Sequence, residues 1–318
     1  MRILPLLPIL SGAMALVRHP LLYKATRICL GCRAMKMSTE AARLGSICFN
    51  PDVPLTDATP VIVMHGLLGN AKNFQGIGTK LAGMVSRPRR IYAVDMRNHG
   101  ASSHHSSMSY AEMAGDIMSF MGEQGMQKAV LVGHSMGGKA AAMAALLNKD
   151  AVQGLVVIDI APVGYSPVDS TNWGETQRII NSLRSLDMNE VTDRRSADSL
   201  LSRDIVDPML RAFALTNLEQ KGDGSFGWRV NIESIYSSMS GLAQFNMDEA
   251  ALSYEGDALF VAGGSSRYIR PQHLDQVKQL FPRYQLMTIR GAGHWVHADD
   301  PQATLDILKM FLDRPELP

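Results

Sequence analysis

The chain has 318 residues, of which 46% are hydrophobic and 19% charged, and its formal net charge is +1. Length and apolar content allow a sizeable core in one or two domains, and a balance this near neutral argues against nucleic acid as a partner. Its 3 cysteines are too few for a disulfide framework, and no Asn-x-Ser/Thr sequon occurs, which disfavours a secreted glycoprotein.

The first 39 residues carry Arg2, Arg18, Lys24, Arg27, Arg33 and Lys36 but no acid before Glu40. A basic, acid-free start with interspersed apolar residues reads as a mitochondrial transit segment. The rival is a secretory signal, from the apolar run Leu4 to Val17 and the Ala13-Met14-Ala15 triplet, but two prolines break that run. The run also falls short of the ~18 residues that cross a bilayer, so no transmembrane segment is expected in the mature chain. Cys29 and Cys32 form a C-x-x-C pair here, without the second ligand pair that a metal site needs.

From residue 43 the pattern alternates. Strands are expected at Ser46 to Phe49, Val61 to Met64, Ile91 to Val94, Ala129 to Val132 and Leu155 to Ile158. Helices are expected between them near Phe74 to Val85, Tyr110 to Met121 and Met136 to Leu147. Near-continuous apolar strands separated by helices indicate a mostly parallel sheet covered on both faces. Residues 162–247 break the alternation: they read as amphipathic helices plus a Gly-rich turn at Gly222 to Gly227. Strand and helix then resume with Ala258 to Ala262, Pro271 to Phe281, Gln285 to Ile289 and a last helix from Pro301. A helical block inserted into such a sheet suggests a lid over the strand ends, where ligands bind. The core is accordingly read as 43–161 and 248–314, with the lid at 162–247.

Gly133-His134-Ser135-Met136-Gly137 lies directly between a predicted strand and a predicted helix. Three fixed positions arise by chance in roughly one chain of this length in ten, so the letters alone say little. The strand-turn-helix setting is what a nucleophile elbow requires, with a strained serine raised above the sheet and flanking residues that must lack side chains. A helix N-terminus behind Ser135 also favours an anionic intermediate. His65-Gly66-Leu67-Leu68-Gly69 follows the strand at Val61 to Met64. Acyl transfer needs backbone N–H groups aimed at the developing oxyanion, and Met136 and Leu67 are the expected donors. His65 reads as a structural histidine of that turn.

The base is expected late in the chain, after nucleophile and acid. His273, His294 and His297 follow the lid, and His294, in a Gly-rich loop before the helix opened by Asp300 and Pro301, is the best placed. His297 should pack against the next helix, and His104-His105 should lie in a surface loop.

His65-Gly66-Leu67-Leu68-Gly69, Asp95-Met96-Arg97-Asn98-His99-Gly100, Gly133-His134-Ser135-Met136-Gly137-Gly138-Lys139 and Gly293-His294-Trp295-Val296-His297-Ala298-Asp299 together resemble the α/β-hydrolase domain-containing protein 11 family and its small bacterial esterase relatives. The resemblance spans roughly residues 43–313. It implies the α/β-hydrolase fold, with an eight-stranded, mostly parallel sheet. It also implies a mitochondrial lipid esterase, diacylglycerol as a substrate class and a 2-oxoglutarate dehydrogenase complex as a partner.

The acid is the open question. The slot after the seventh strand, Val261 to Arg267, holds no carboxylate. Asp159 ends the strand expected beside the one that carries Ser135. Neighbouring strands lie about 4.8 Å apart, so its carboxylate could reach a histidine poised over Ser135. The resemblance to bacterial relatives, through Ile158-Asp159-Ile160-Ala161-Pro162, implies the same position. Glu233 is the rival, implied by the family, but Asn231 reads as an N-cap that leaves Glu233 as an ordinary first-turn acid. Asp159 is preferred. The chemistry so read is ester cleavage through an acyl-enzyme on Ser135, without metal or organic cofactor, acting on an acyl-ester or lipid substrate. Met188, Met209, Met239 and Met247 in the lid could accommodate acyl chains, although such methionines are more often core. An acyl-thioesterase and a hydrolase-shaped binding partner of a mitochondrial dehydrogenase complex are the alternatives.

Overall fold

A computed structural model describes residues 40–166, 171–246, 252–315 and 317. The expected transit segment with its Cys29-x-x-Cys32 pair, and Met247, lie outside the described residues.

The strands are β1 (Ser46–Phe49), β2 (Val61–Met64), β3 (Ile91–Val94), β4 (Ala129–His134), β5 (Val152–Ile158), a short pair β6 (Leu218–Gln220) and β7 (Phe226–Trp228), then β8 (Asp257–Gly263) and β9 (Tyr284–Ile289). The helices are α1 (Gln75–Met84), α2 (Tyr110–Glu123), α3 (Met136–Leu147), α4 (Thr171–Ser185), α5 (Arg194–Leu201), α6 (Pro208–Leu215), α7 (Ile232–Ala243), α8 (Leu274–Leu280), α9 (Val296–Asp299) and α10 (Pro301–Leu312). Among the described residues no helix is long and apolar enough to cross a membrane.

The main sheet runs β1-β3-β2-β4-β5-β8-β9, with every pairing parallel except β1 against β3. Both faces are covered, as continuous apolar strands require. On β2, Ile62 and Met64 pack with Met113 and Ile117 of α2 and Ala140 of α3. Val61 and Val63 face the other way, into a cluster with Leu81 of α1 and Leu305, Leu308 and Phe311 of α10. That alternation is the two-residue period of a strand.

The main sheet has seven strands among the described residues, not the eight that the resemblance implied. The segment leading into β1 is the reason. Its backbone donors go to side chains rather than to a strand: Ala42 N–H to Asp116 Oδ1 (2.7 Å), Arg43 N–H to Ser103 Oγ (3.2 Å) and Gly45 N–H to Ser102 Oγ (2.9 Å). A segment whose donors are spent this way builds no further ladder.

Helix ends follow local chemistry. Ser109 and Glu112 form a reciprocal capping box at α2, and Asp300 caps α10 ahead of Pro301. Between β5 and β8 stand α4 to α7 and the antiparallel pair β6/β7, whose strands flank the Gly-rich turn. That pair was not anticipated, because three-residue strands carry no readable period. Of the lid methionines, Met188 and Met239 pack into the core, while Met209 is 76% exposed.

Candidate active site

The register between β4 and β5 sets the site. His134 pairs with Ile158, so the next residues, Ser135 and Asp159, leave adjacent parallel strands at the same level. Ser135 N–H donates to Ile158 C=O at 2.9 Å and ties the two turns together. Ser135 sits at φ 53°, ψ −120°, and Asp159 at φ 51°. Positive φ in a residue with a Cβ is strained, and is tolerated where the surroundings dictate it. Here they do: a Cβ on Gly133 would stand 2.2 Å from Gly137 C=O, and one on Gly137 would stand 2.6 Å from the carbonyls of Met64 and His65. Only glycines let the turn close this tightly.

His294, from the loop between β9 and α9, completes the cluster. Its Nε2 is 3.0 Å from Ser135 Oγ, and its Nδ1 is 2.8 Å from Asp159 Oδ2. Asp159 is fully buried and its other oxygen, Oδ1, accepts from Gly263 N–H at 2.9 Å. Ser266 Oγ donates to Asp159 Oδ2 as well. Tyr268 stacks on the His294 ring with centroids 4.0 Å apart, and the carbonyl of His294 accepts from His134 Nε2 at 2.8 Å. The imidazole is therefore fixed by Ser135, Asp159 and Tyr268, and its backbone by His134.

The loop after β2 lies opposite. His65 Nδ1 donates to Gly66 C=O (2.7 Å) while its Nε2 accepts from Met96 N–H (2.9 Å). His99 is used alike: Nδ1 donates to Arg97 C=O (2.9 Å) and Nε2 accepts from Leu68 N–H (3.1 Å). Both rings thus serve as neutral struts. Burial holds His65 at about 4, and burial with the neighbouring His65 holds His99 at about 3. Asp95 braces the same loop, accepting from Ala71 N–H (2.6 Å) and Ala101 N–H (2.8 Å). The Asp95 to Gly100 segment is thus scaffold for the loop that presents Leu67. Among the described residues the backbone N–H groups of Leu67 and Met136 donate to no protein group, and both residues line the same cavity as Ser135 and His294. Two unspent donors beside a serine hydroxyl are what an oxyanion requires.

Glu233 is elsewhere. Asn231 caps α7 by accepting from Ser234 N–H at 3.2 Å, and Glu233 is an exposed first-turn acid paired with Arg184 at 2.9 Å. The structure does not bring it to His294. His273 is also apart, its Nδ1 lying 3.2 Å from Tyr268 C=O and 3.3 Å from Arg270 N–H. His297, expected to pack against the next helix, also stacks on Phe74 (4.5 Å) and meets His134 edge-on (4.7 Å).

Sequence reasoning missed Ser266, Tyr268 and Lys139. Ser266 occupies the slot after β8 that held no carboxylate, so the vacancy itself was the signal. Lys139, on the first turns of α3, lines the cavity although its side chain is almost wholly buried. The cavity is about 640 Å³, walled by the strand-end loops and by Trp173, Ile179, Leu210, Phe213 and Leu242 from the inserted helices. A hydroxyl, a base and a buried carboxylate in series, facing two free N–H donors in a largely apolar pocket, can perform nucleophilic acyl transfer.

Residues 59–301 match the family described as alpha/beta hydrolase fold. The chain is 36% identical over 288 residues to the sn-1-specific diacylglycerol lipase ABHD11 of Mus musculus, covering 88% of this chain and 90% of that one. It is 31% identical to Esterase YbfF of Escherichia coli, over 80% of this chain and 93% of the relative. Among solved structures a marine microorganism esterase superposes with a TM-score of 0.80 at 34% identity, over 86% of this chain and 100% of the other.

Proposed function

The chain belongs to the α/β-hydrolase family, and from that premise we propose that it is a serine hydrolase of lipid carboxylic esters, working through an acyl-enzyme on Ser135. Ester cleavage is the activity that its esterase and lipase relatives share. The single observation that carries the assignment of residues is the continuous hydrogen-bonded line from Ser135 Oγ through His294 to Asp159 Oδ2.

His294 Nε2 takes the Ser135 proton as the hydroxyl oxygen attacks the ester carbonyl. Asp159, held by Gly263 N–H and Ser266, keeps the imidazole in the tautomer that can accept at Nε2 and stabilises the imidazolium that forms. The N–H groups of Leu67 and Met136 receive the oxyanion. The proton then passes from Nε2 to the departing alcohol oxygen, leaving Ser135 acylated. Water, deprotonated by the same imidazole, attacks the acyl carbonyl and frees the acid. Residues 162–247 act as the lid, with α4, α6 and α7 closing the acyl pocket. Diacylglycerol-type lipids suit that pocket, on the strength of the likeness to the mouse sn-1-specific diacylglycerol lipase.

A panel of short esters, diacylglycerol and acyl-thioesters, run on wild type and Ser135→Ala, tests this reading. Ester and lipid turnover that disappears in Ser135→Ala supports it; thioester turnover that exceeds both would move the assignment to a thioesterase. A mitochondrial location rests on the basic, acid-free residues 1–39. An uncleaved Met1 on the mature protein would contradict it. Association with a 2-oxoglutarate dehydrogenase complex rests on the family resemblance alone, and co-purification with that complex is its test.

A further inference from the structure

Lys139 lies one helical turn beyond Ser135, is 1% exposed, and lines the same cavity. Its Nζ donates to the carbonyls of Ala243 (3.2 Å) and Gln244 (3.3 Å), and lies 4.7 Å from the Tyr165 ring and 5.3 Å from the Tyr110 ring. An ammonium has three N–H donors. Among the described residues no carboxylate pairs with this one, and its third donor meets no protein acceptor. Both neighbouring hydroxyls are turned away, Tyr110 donating to Leu242 C=O (2.8 Å) and Tyr165 to Tyr268 C=O (2.6 Å). Burial pulls the ammonium down to about 7.

A cation taken out of water without a counter-charge is costly, whereas a methionine of similar length would pack beside the Tyr110 and Tyr165 rings without that cost. A negative group arriving with the substrate would supply the missing partner. The alcohol must leave while the acyl group stays on Ser135, so the acyl part takes the enclosed end. Lys139, a 1% exposed member of the lining, is assigned to that end, whereas Met209 on the same lining is 76% exposed.

We propose that Lys139 is a specificity-determining residue that binds a carboxylate on the acyl part of the substrate, so that half-esters of dicarboxylic acids are favoured over neutral esters of equal length. This rests on the reading of Ser135 as an ester-cleaving nucleophile. It adds a charged subsite to a pocket that otherwise suits alkyl chains.

The test compares kcat/KM for the 4-nitrophenyl half-ester of glutaric acid with that for 4-nitrophenyl pentanoate, in wild type and Lys139→Met. The ratio of half-ester to pentanoate is expected to fall at least about tenfold in the variant, the scale of a lost charge-assisted hydrogen bond. A smaller change overturns the proposal, including a parallel loss on both esters, which would mark Lys139 as a clamp between α3 and α7. Should Lys139→Met fail to fold, inhibition of wild-type pentanoate hydrolysis by free glutarate and free pentanoate decides. Glutarate is expected to inhibit at about tenfold lower concentration, and equal inhibition overturns the idea. Wild type that hydrolyses neither ester would sink the esterase reading itself. Pentanoate turnover without the charge preference would sink only the subsite.

Discussion

Ser266 donates its hydroxyl hydrogen to Asp159 Oδ2, the same oxygen that receives His294 Nδ1 at 2.8 Å. Two donors on one buried carboxylate oxygen leave that group little freedom to rotate, and rotation is what would misalign the imidazole. Ser266→Ala is therefore expected to lower kcat by about tenfold with KM nearly unchanged, a positioning effect smaller than loss of the carboxylate. Steady-state kinetics on a short ester would check it; a rise in KM at constant kcat would speak against it.

Asp159→Asn and Glu233→Gln should separate the two candidate acids. Asp159 is fully buried against the imidazole, so its loss is expected to cost up to ~10⁴ in kcat. Glu233 shares an exposed ion pair with Arg184, its side chain 65% accessible, and such pairs contribute little. Its variant should retain activity within about twofold. Equal losses in the two variants would remove Asp159 from its proposed role.

Ser135→Ala and His294→Gln are each expected to lower kcat by about a millionfold, and the double variant hardly further, because the two act as one unit. A fluorophosphonate probe should label wild type and leave Ser135→Ala unlabelled.

Gly133→Ala tests the elbow. A methyl group there meets Gly137 C=O at 2.2 Å, and backbone cannot step aside as a flexible side chain would. The variant is expected to lose ~1–3 kcal/mol or more, seen as a fall of several degrees in Tm, together with most activity. A melting curve that overlays wild type would contradict so close an approach of Gly133 to Gly137.

Acid should unfold the protein through its imidazoles. Burial holds His65 and His297 at about 4, burial with His65 holds His99 at about 3, and burial also pushes His134 well below the ordinary 6.5. Between pH ~6.5 and about 4 the unfolded chain takes up these protons and the folded chain does not, so folding is progressively weakened as pH falls. Above ~6.5 both states are neutral at these positions and the full contribution is present. The urea midpoint should thus drop steadily from pH ~6.5 toward ~4.5; a level midpoint across that range would contradict this.

How far the sequence was legible depended on how local the deciding contacts were. The apolar runs Val61 to Met64 and Ala129 to Val132 signal buried parallel strands without outside help, and the Met136 to Leu147 helix was bounded by its own residues. Asp159 was legible because sheet adjacency puts a strand-end residue next to Ser135. Ser266 and Lys139 were not, since their partners, Asp159 and the carbonyls of Ala243 and Gln244, lie more than 100 residues away. No periodicity encodes such a meeting. The β6/β7 pair was hidden for the opposite reason, being too short to show a pattern.

Asp159 also stands just after β5, where the chain heads toward the inserted helices, and Tyr165, a few positions on, is anchored to the carbonyl of Tyr268, whose ring covers His294. Root and relay are one piece of backbone. A backbone shift between Asp159 and Tyr165 would therefore be felt twice, at the carboxylate that meets His294 and at the carbonyl of Tyr268, whose ring lies over the same imidazole.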